Sequence, residues 1–162
     1  MKWPEIPERS QLSLREHRER IGGTGTSLWV TLEQSMFDDF AAVTGDDAFI
    51  HTDPDRAART RFRGTIAHGL LSLALLPWLM RSAVPAVRDR RMGLNYGYDK
   101  VRFLAPVPCG ARVRGHFTLE GIEEASQGFS ILRYAVSVEV EGVEKPALVA
   151  NWLIGCWVAA DG

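Results

Sequence analysis

The stretch Ile66 to Met80, IAHGLLSLALLPWLM, constrains the chain more than any other. It is apolar on nearly every side, and a helix hydrophobic all round has to be buried all round. At 15 residues, with His68, Ser72 and Pro77 inside it, it falls short of the roughly 20 apolar residues that cross a bilayer. The pattern predicts a core helix enclosed by sheet and ended or kinked at Pro77. His68 and Gly69 fall on its first turn, where backbone N–H groups lack intrahelical acceptors and the helix dipole favours negative charge. Chemistry, if the chain performs any, is expected there.

A length of 162 residues and 46% hydrophobic composition suit one domain with a sizeable core. A net charge of -1 and a pI near 6.4 offer no general attraction to nucleic acid or to an anionic membrane. Cys109 and Cys156 stand outside any C-x-x-C or zinc spacing and read as reduced, packed thiols of a cytoplasmic protein. The opening MKWPEIPERSQLSLREHRER has no apolar run, so no signal peptide is predicted.

Residues 1–27 are polar, carry Pro4 and Pro7, and read as a surface arm with a short helix over Leu12 to Ile21. The arm closes on Gly22-Gly23-Thr24-Gly25-Thr26-Ser27, which lacks the phosphate-loop pattern and serves as a turn into a first strand, Leu28 to Leu32. Glu33 to Val43 places Met36, Phe37, Phe40, Ala41 and Val43 on one helical face, with Gly45 as a left-handed cap. A long polar loop follows to Thr65, with Pro54 opening one helical turn. After Pro85, four strands are predicted: Met92 to Phe103, Ala111 to Glu120, Phe129 to Glu141 and Lys145 to Val158. Strands grouped after a single buried helix indicate an α+β fold, an antiparallel sheet wrapped around a long central helix.

Within the loop, Asp46 and His51 are five positions apart and can converge on one water, the carboxylate orienting it and the imidazole exchanging a proton near neutral pH. Asp46, His51, Asp53 and His68 also have the composition of a zinc or iron site, though no H-E-x-x-H or cysteine pair fixes a geometry. Asp53, just before Pro54, suits a helix cap. His68 on an apolar helix is most often a satisfied core histidine. Gly69 lets a substrate approach the backbone, or lets the sheet pack close; both readings stand.

TGDDAFIHTDPDRAA followed by GTIAHG resembles the hydratase-2 signature of MaoC-like dehydratases, the (R)-specific enoyl-CoA hydratases with a hotdog fold. The later segments GLNYGYDKVRFLAPVPCGARVR and EGVEKPALVANW are similar to the nodulation-protein-N-like branch of that family. The resemblance covers residues 28–158 and implies a single hotdog domain over 28–162. It also implies Asp46 and His51 as the catalytic pair and the Gly69 amide as the donor to the thioester oxygen. The implied reaction is reversible syn-addition of water to a trans-2-enoyl thioester, with no metal or redox cofactor. Lys100 and Arg102, with Arg61 and Arg63, are candidate contacts for the acyl carrier's phosphates; His68 and Asn95 are candidate substrate contacts. The resemblance implies a homodimer, with acyl tunnels near the interface. One departure stands out: the signature commonly has Asn-Pro where this chain has Ala48-Phe49. A hotdog thioesterase and a non-catalytic acyl-thioester binder are the rival expectations.

Overall fold

The computed structural model describes residues 3–159. The first elements are β1 (Gln11–Leu12), α1 (Leu14–Arg18), β2 (Thr24–Thr26) and β3 (Val30–Thr31). Then come α2 (Gln34–Thr44) and two single turns, α3 (Phe49–Thr52) and α4 (Pro54–Ala57). The apolar stretch forms α5 (Gly69–Ala74) and α6 (Leu76–Ala83), followed by β4 (Ala86–Val87). Four long strands complete the fold: β5 (Arg90–Phe103), β6 (Arg112–Ser126), β7 (Phe129–Val140) and β8 (Val143–Val158).

The main sheet has the order β2-β6-β7-β8-β5, with β3 also pairing β6, and every pairing is antiparallel. Its inner face follows from period-2 alternation. Leu132, Tyr134, Val136, Val138 and Val140 of β7 are all buried, while the residues between them are partly exposed. Phe117 lies opposite Val136, which lies opposite Ala150, so one apolar row crosses three strands. Leu71, Leu75, Leu76, Leu79 and Met80 are buried in the same core. Each such side chain contributes about 1.5–3 kcal/mol by leaving water. The predicted α+β arrangement, sheet around central helix, is therefore the observed one.

The helix differs from expectation in two respects. It starts at Gly69, with His68 extended (φ −57, ψ 136) as its N-cap, and it is broken into two at Leu75. Pro77 opens α6 rather than ending it, because a proline in the first turn has no intrahelical N–H bond to lose. The helix is also not buried all round: Leu70 is 59% exposed, and Ala74 and Pro77 continue that open row. Val43, expected on the buried face of α2, is 87% exposed, because the last turn of α2 runs past the edge of the core. Cys156 is packed as expected, whereas Cys109 is exposed in the turn between β5 and β6.

Residues 3–27 are tied into the fold. Ser13 and Glu16 form a reciprocal capping box on α1, and His17 is buried with its Nε2 3.4 Å from the Ala86 carbonyl oxygen. β1 pairs in parallel with β4, and Arg9 donates to the carbonyls of Val84 and Pro85. The glycine-rich run is itself strand: Thr24–Thr26 lines up against Thr118, Phe117 and His116 of β6. A Cβ on Gly25 would lie 2.1 Å from the Ala83 carbonyl oxygen, so only glycine lets this edge strand pass the end of α6. Among the described residues, no helix is long and apolar enough to cross a membrane.

Two stability measurements check this account. Gly25→Ala lowers the unfolding free energy by about 1–3 kcal/mol in urea, the usual cost of overpacking. Gly64→Ala, at a site with open space, does not lower it to that extent. Burial holds the His17 imidazole below its ordinary pKa, so the unfolded chain binds that proton first. Stability is then fully present above about pH 6.5 and declines as pH falls through the folded value; His17→Gln flattens that decline in urea midpoints read from about pH 7.5 to 5.

Candidate active site

Two loops crossing the start of α5 build the site. Gly45 ends α2 in the left-handed region (φ 77), donating to the Ala41 carbonyl, and turns the chain so that Asp46 stands exposed at the rim. α3 then carries His51 inward, where it is buried. The loop expected between Gly45 and Thr65 thus holds two helical turns, with Asp53 capping α4 through the Arg56 amide as expected. The Ile66 amide donates to the Ile50 carbonyl, and His51 Nδ1–H donates to the Ile66 carbonyl at 2.7 Å. A carbonyl only accepts, so the neutral His51 ring carries its proton on Nδ1 and keeps Nε2 as a free base.

His68, 2% exposed, stacks on His51 with ring centroids 3.9 Å apart and donates from Nε2 to the Asp46 carbonyl at 2.8 Å. Phe40 tilts against its ring at 5.0 Å. His68 is therefore more than a core histidine: it fastens the Asp46 loop to the helix start. Its Nδ1 is buried without a partner among the described residues. A carboxylate oxygen of Asp46 and one ring nitrogen each from His51 and His68 lie within 4.8 Å of one another. That is the span one bridging water covers. Of the four residues with the composition of a metal site, Asp46, His51 and His68 come together, whereas Asp53 caps α4.

Gly69 opens α5 beside this pair. A Cβ there would meet the Phe103 ring at 3.0 Å, so β5 packs against bare backbone. His51, Gly69, Ser72, Phe103 and Arg61 line a common cavity of ≈ 280 Å³. Of the four basic candidates, Arg61 alone lines it. Lys100 lines a separate cavity with His116 and Asn151 on the outer face of the sheet, and Arg102 pairs with Val149 on the exposed β5 strand. Arg63 sits in a turn at φ 58. Asn95 is also elsewhere, accepting from the Trp152 indole through its amide oxygen. The site thus brings together Asp46, His51, His68 and Gly69, and leaves Lys100, Arg102 and Asn95 outside it.

Gln34 escapes the sequence reading. From the first turn of α2 it donates to the His51 carbonyl at 2.7 Å and accepts from Thr65 Oγ1 at 2.6 Å, joining both loops. Only a polar residue placed among the apolar positions of α2 hinted at it. Where the signature has Asn-Pro, Ala48 serves as N-cap and Phe49 as the first residue of α3, with the Arg56 guanidinium over its ring at 4.4 Å.

The MaoC-like domain profile matches residues 19–142. The chain belongs to the MaoC-like dehydratase family. It is 46% identical to Nodulation protein N of Rhizobium leguminosarum bv. viciae over 145 residues, 88% of this chain and 90% of that one. It is 46% identical to 3-hydroxyacyl-thioester dehydratase Z of Mycobacterium tuberculosis (strain ATCC 25618 / H37Rv) over 130 residues, 80% of this chain and 85% of that one. Among solved structures, the (R)-hydratase from A. caviae superposes with a TM-score of 0.67 at 22% identity, covering 83% of this chain and 94% of that one. This MaoC-like chain therefore has the expected hotdog fold.

The hydrogen bond from His68 is testable without any substrate. His68→Leu keeps the bulk but frees the Asp46 carbonyl, so amide exchange over residues 44–48 quickens while α6 keeps its protection.

Proposed function

We propose that the protein is a hydro-lyase that adds water reversibly to a trans-2-enoyl thioester, giving an (R)-3-hydroxyacyl thioester. One observation carries the reading: the Asp46 carboxylate lies within 4.8 Å of a ring nitrogen of His51, and His51 lines a cavity together with Gly69, the first residue of α5. The resemblance of the loop to the hydratase-2 signature and the 46% identity to a chain named as a 3-hydroxyacyl-thioester dehydratase support it.

In this mechanism Asp46 and His51 hold one water between them. His51 Nε2 takes one proton of that water as its oxygen attacks C3 and returns it to C2 on the same face, so OH and H both come from one water and the imidazole ends neutral. Negative charge develops on the thioester oxygen, which the Gly69 N–H stabilises. A preorganised donor of this kind is worth on the order of 3 kcal/mol. His68 fixes the Asp46 loop and the His51 ring plane, and Arg61 at the cavity lining is the cation best placed for the acyl carrier. The chemistry needs only these proton-transfer groups and one amide, so no metal or redox cofactor enters it.

The same reading includes a homodimer. β5 is an edge strand of 14 residues, and Met92, Tyr96 and Phe103 on it are exposed, as is Leu70 on the helix. An apolar edge left open invites pairing with another chain, and a second copy buries both strand and helix row.

Absorbance of the enoyl thioester, with crotonyl-CoA and a longer trans-2-enoyl-CoA, tests the reaction. Wild type consumes the enoyl band without releasing thiol, and Asp46→Asn and His51→Ala each lower kcat/KM by about 100- to 10,000-fold. Thiol release overturns the reading in favour of thioester hydrolysis, and tight binding without turnover in favour of a carrier.

A further inference from the structure

Two imidazole nitrogens in the site have lone pairs that the fold leaves unspent. His51 donates its Nδ1–H to the Ile66 carbonyl at 2.7 Å, and its Nε2 has no partner among the described residues. His68 donates its Nε2–H to the Asp46 carbonyl at 2.8 Å, and its Nδ1 is buried with no partner among the described residues. Hydration of an enoyl thioester uses the first lone pair and has no use for the second. His68 is 2% exposed, and a buried acceptor left without a donor costs about 1–3 kcal/mol. Histidines that ligate metals share this arrangement, with one nitrogen fixed on a carbonyl or carboxylate and the other free and neutral.

A carboxylate completes the set. One oxygen of Asp46 and one ring nitrogen from each histidine lie within 4.8 Å of one another. Two neutral imidazoles and one carboxylate suit a borderline cation such as zinc, whereas magnesium and calcium take oxygen ligands throughout. Asp53 is spent on the cap of α4, so the protein offers three ligands and leaves a fourth position for water. His51 lines the ≈ 280 Å³ cavity, which gives an ion its way in.

We propose that Asp46, His51 and His68 bind one Zn²⁺ ion, and that the bound ion blocks the hydration site. Zinc bonds of about 2.0–2.2 Å bring neighbouring ligand atoms to roughly 3.3 Å in a tetrahedral site. Binding therefore draws the three groups together. Asp46, exposed just after Gly45, swings toward the rings, and the rings, now stacked at 3.9 Å with planes 27° apart, splay at the edges that face the ion. The blocking rests on the hydratase reading: a His51 Nε2 that holds zinc cannot take a proton from water.

Zinc titration of the full chain against a chelating dye tests the site, in a Cys109→Ser background that removes the exposed thiol. One Zn²⁺ binds per chain, and excess Mg²⁺ does not displace it. His68→Leu and Asp46→Asn, the latter at an exposed residue, each weaken binding at least tenfold. Asp53→Asn, which still caps α4, leaves it unchanged. Co²⁺ in the same site gives the visible bands of a four-coordinate ion, and His68→Leu loses them. These readings need no substrate. In the enoyl-thioester assay, equimolar Zn²⁺ stops turnover and a chelator restores it; a chain with no turnover sinks the hydratase reading while the titration still decides the zinc site. No binding in Cys109→Ser, binding unchanged in both His68→Leu and Asp46→Asn, or turnover that continues with the site filled overturns the proposal.

Discussion

Everything in this molecule depends on the burial of one side of a broken helix against the concave face of a sheet. Leu71, Leu75, Leu76 and Leu79 supply the helix side, and alternate residues of β6, β7 and β8 supply the other. The sheet face is specified by period 2, where a one-residue slip turns every apolar side chain outward. Once the register is fixed, the helix has one place to lie, and its first residue falls beside the end of β5. The position of Gly69 against Phe103 is thus a consequence of core packing far from it. That glycine lets a strand and a helix start approach until a narrow cavity remains between them.

The chain that leads into this helix has to cross its open end, and the crossing carries the reactive groups. Residues 46–68 are short of regular structure, yet they are not loose. The bond from Ile66 to Ile50, the bond from His51 to Ile66 and the Gln34 bridge to Thr65 tie one loop to the other. Each bond satisfies a buried polar group that would otherwise cost about 1–3 kcal/mol. The same bonds set the tautomer of His51 and leave Nε2 without a hydrogen-bond partner among the described residues. Structure and reactivity are specified by one set of hydrogen bonds, and the imidazole's role as a base follows from where its other nitrogen is spent.

Much of this was legible in the sequence, for physical reasons that also mark its limits. The caps at Gly45 and Asp53, the alternation of β7 and the grouping of strands after a lone apolar helix are local signals, and the structure shows each of them. The site pair came from spacing and the resemblance together. What stayed hidden was set by tertiary packing. The break at Leu75 depends on how two short helices follow a curved sheet, and no residue other than Pro77 announces it. Lys100 and Arg102 show the limit best. Tyr98 stacks with Trp152 and Val101 packs on the core, three positions apart, because the ladder slips between Tyr98 and Lys100. Plain alternation would put Tyr98 and Lys100 on one face; the irregularity sends Lys100 to the other.

The departure at Ala48-Phe49 shows which part of the signature is structural. Proline at the first position of a helical turn lends a fixed φ and no needless donor. Phe49 lacks both, but other contacts hold the turn. Thr52 Oγ1 bonds the Asp47 carbonyl at 3.0 Å, the Arg56 guanidinium covers the Phe49 ring, and Gln34 clasps the His51 carbonyl. A cation over an aromatic face contributes about 0.5–1 kcal/mol at exposed sites. That is comparable with what fixing one backbone angle contributes through the unfolded chain, about 0.4–1 kcal/mol. His51 consequently keeps the orientation that its chemistry requires, although the residues that begin its helix have changed. The change from Asn-Pro to Ala48-Phe49 therefore bears on how the turn is held, with the Phe49 ring under Arg56, more than on whether the carboxylate and imidazole meet.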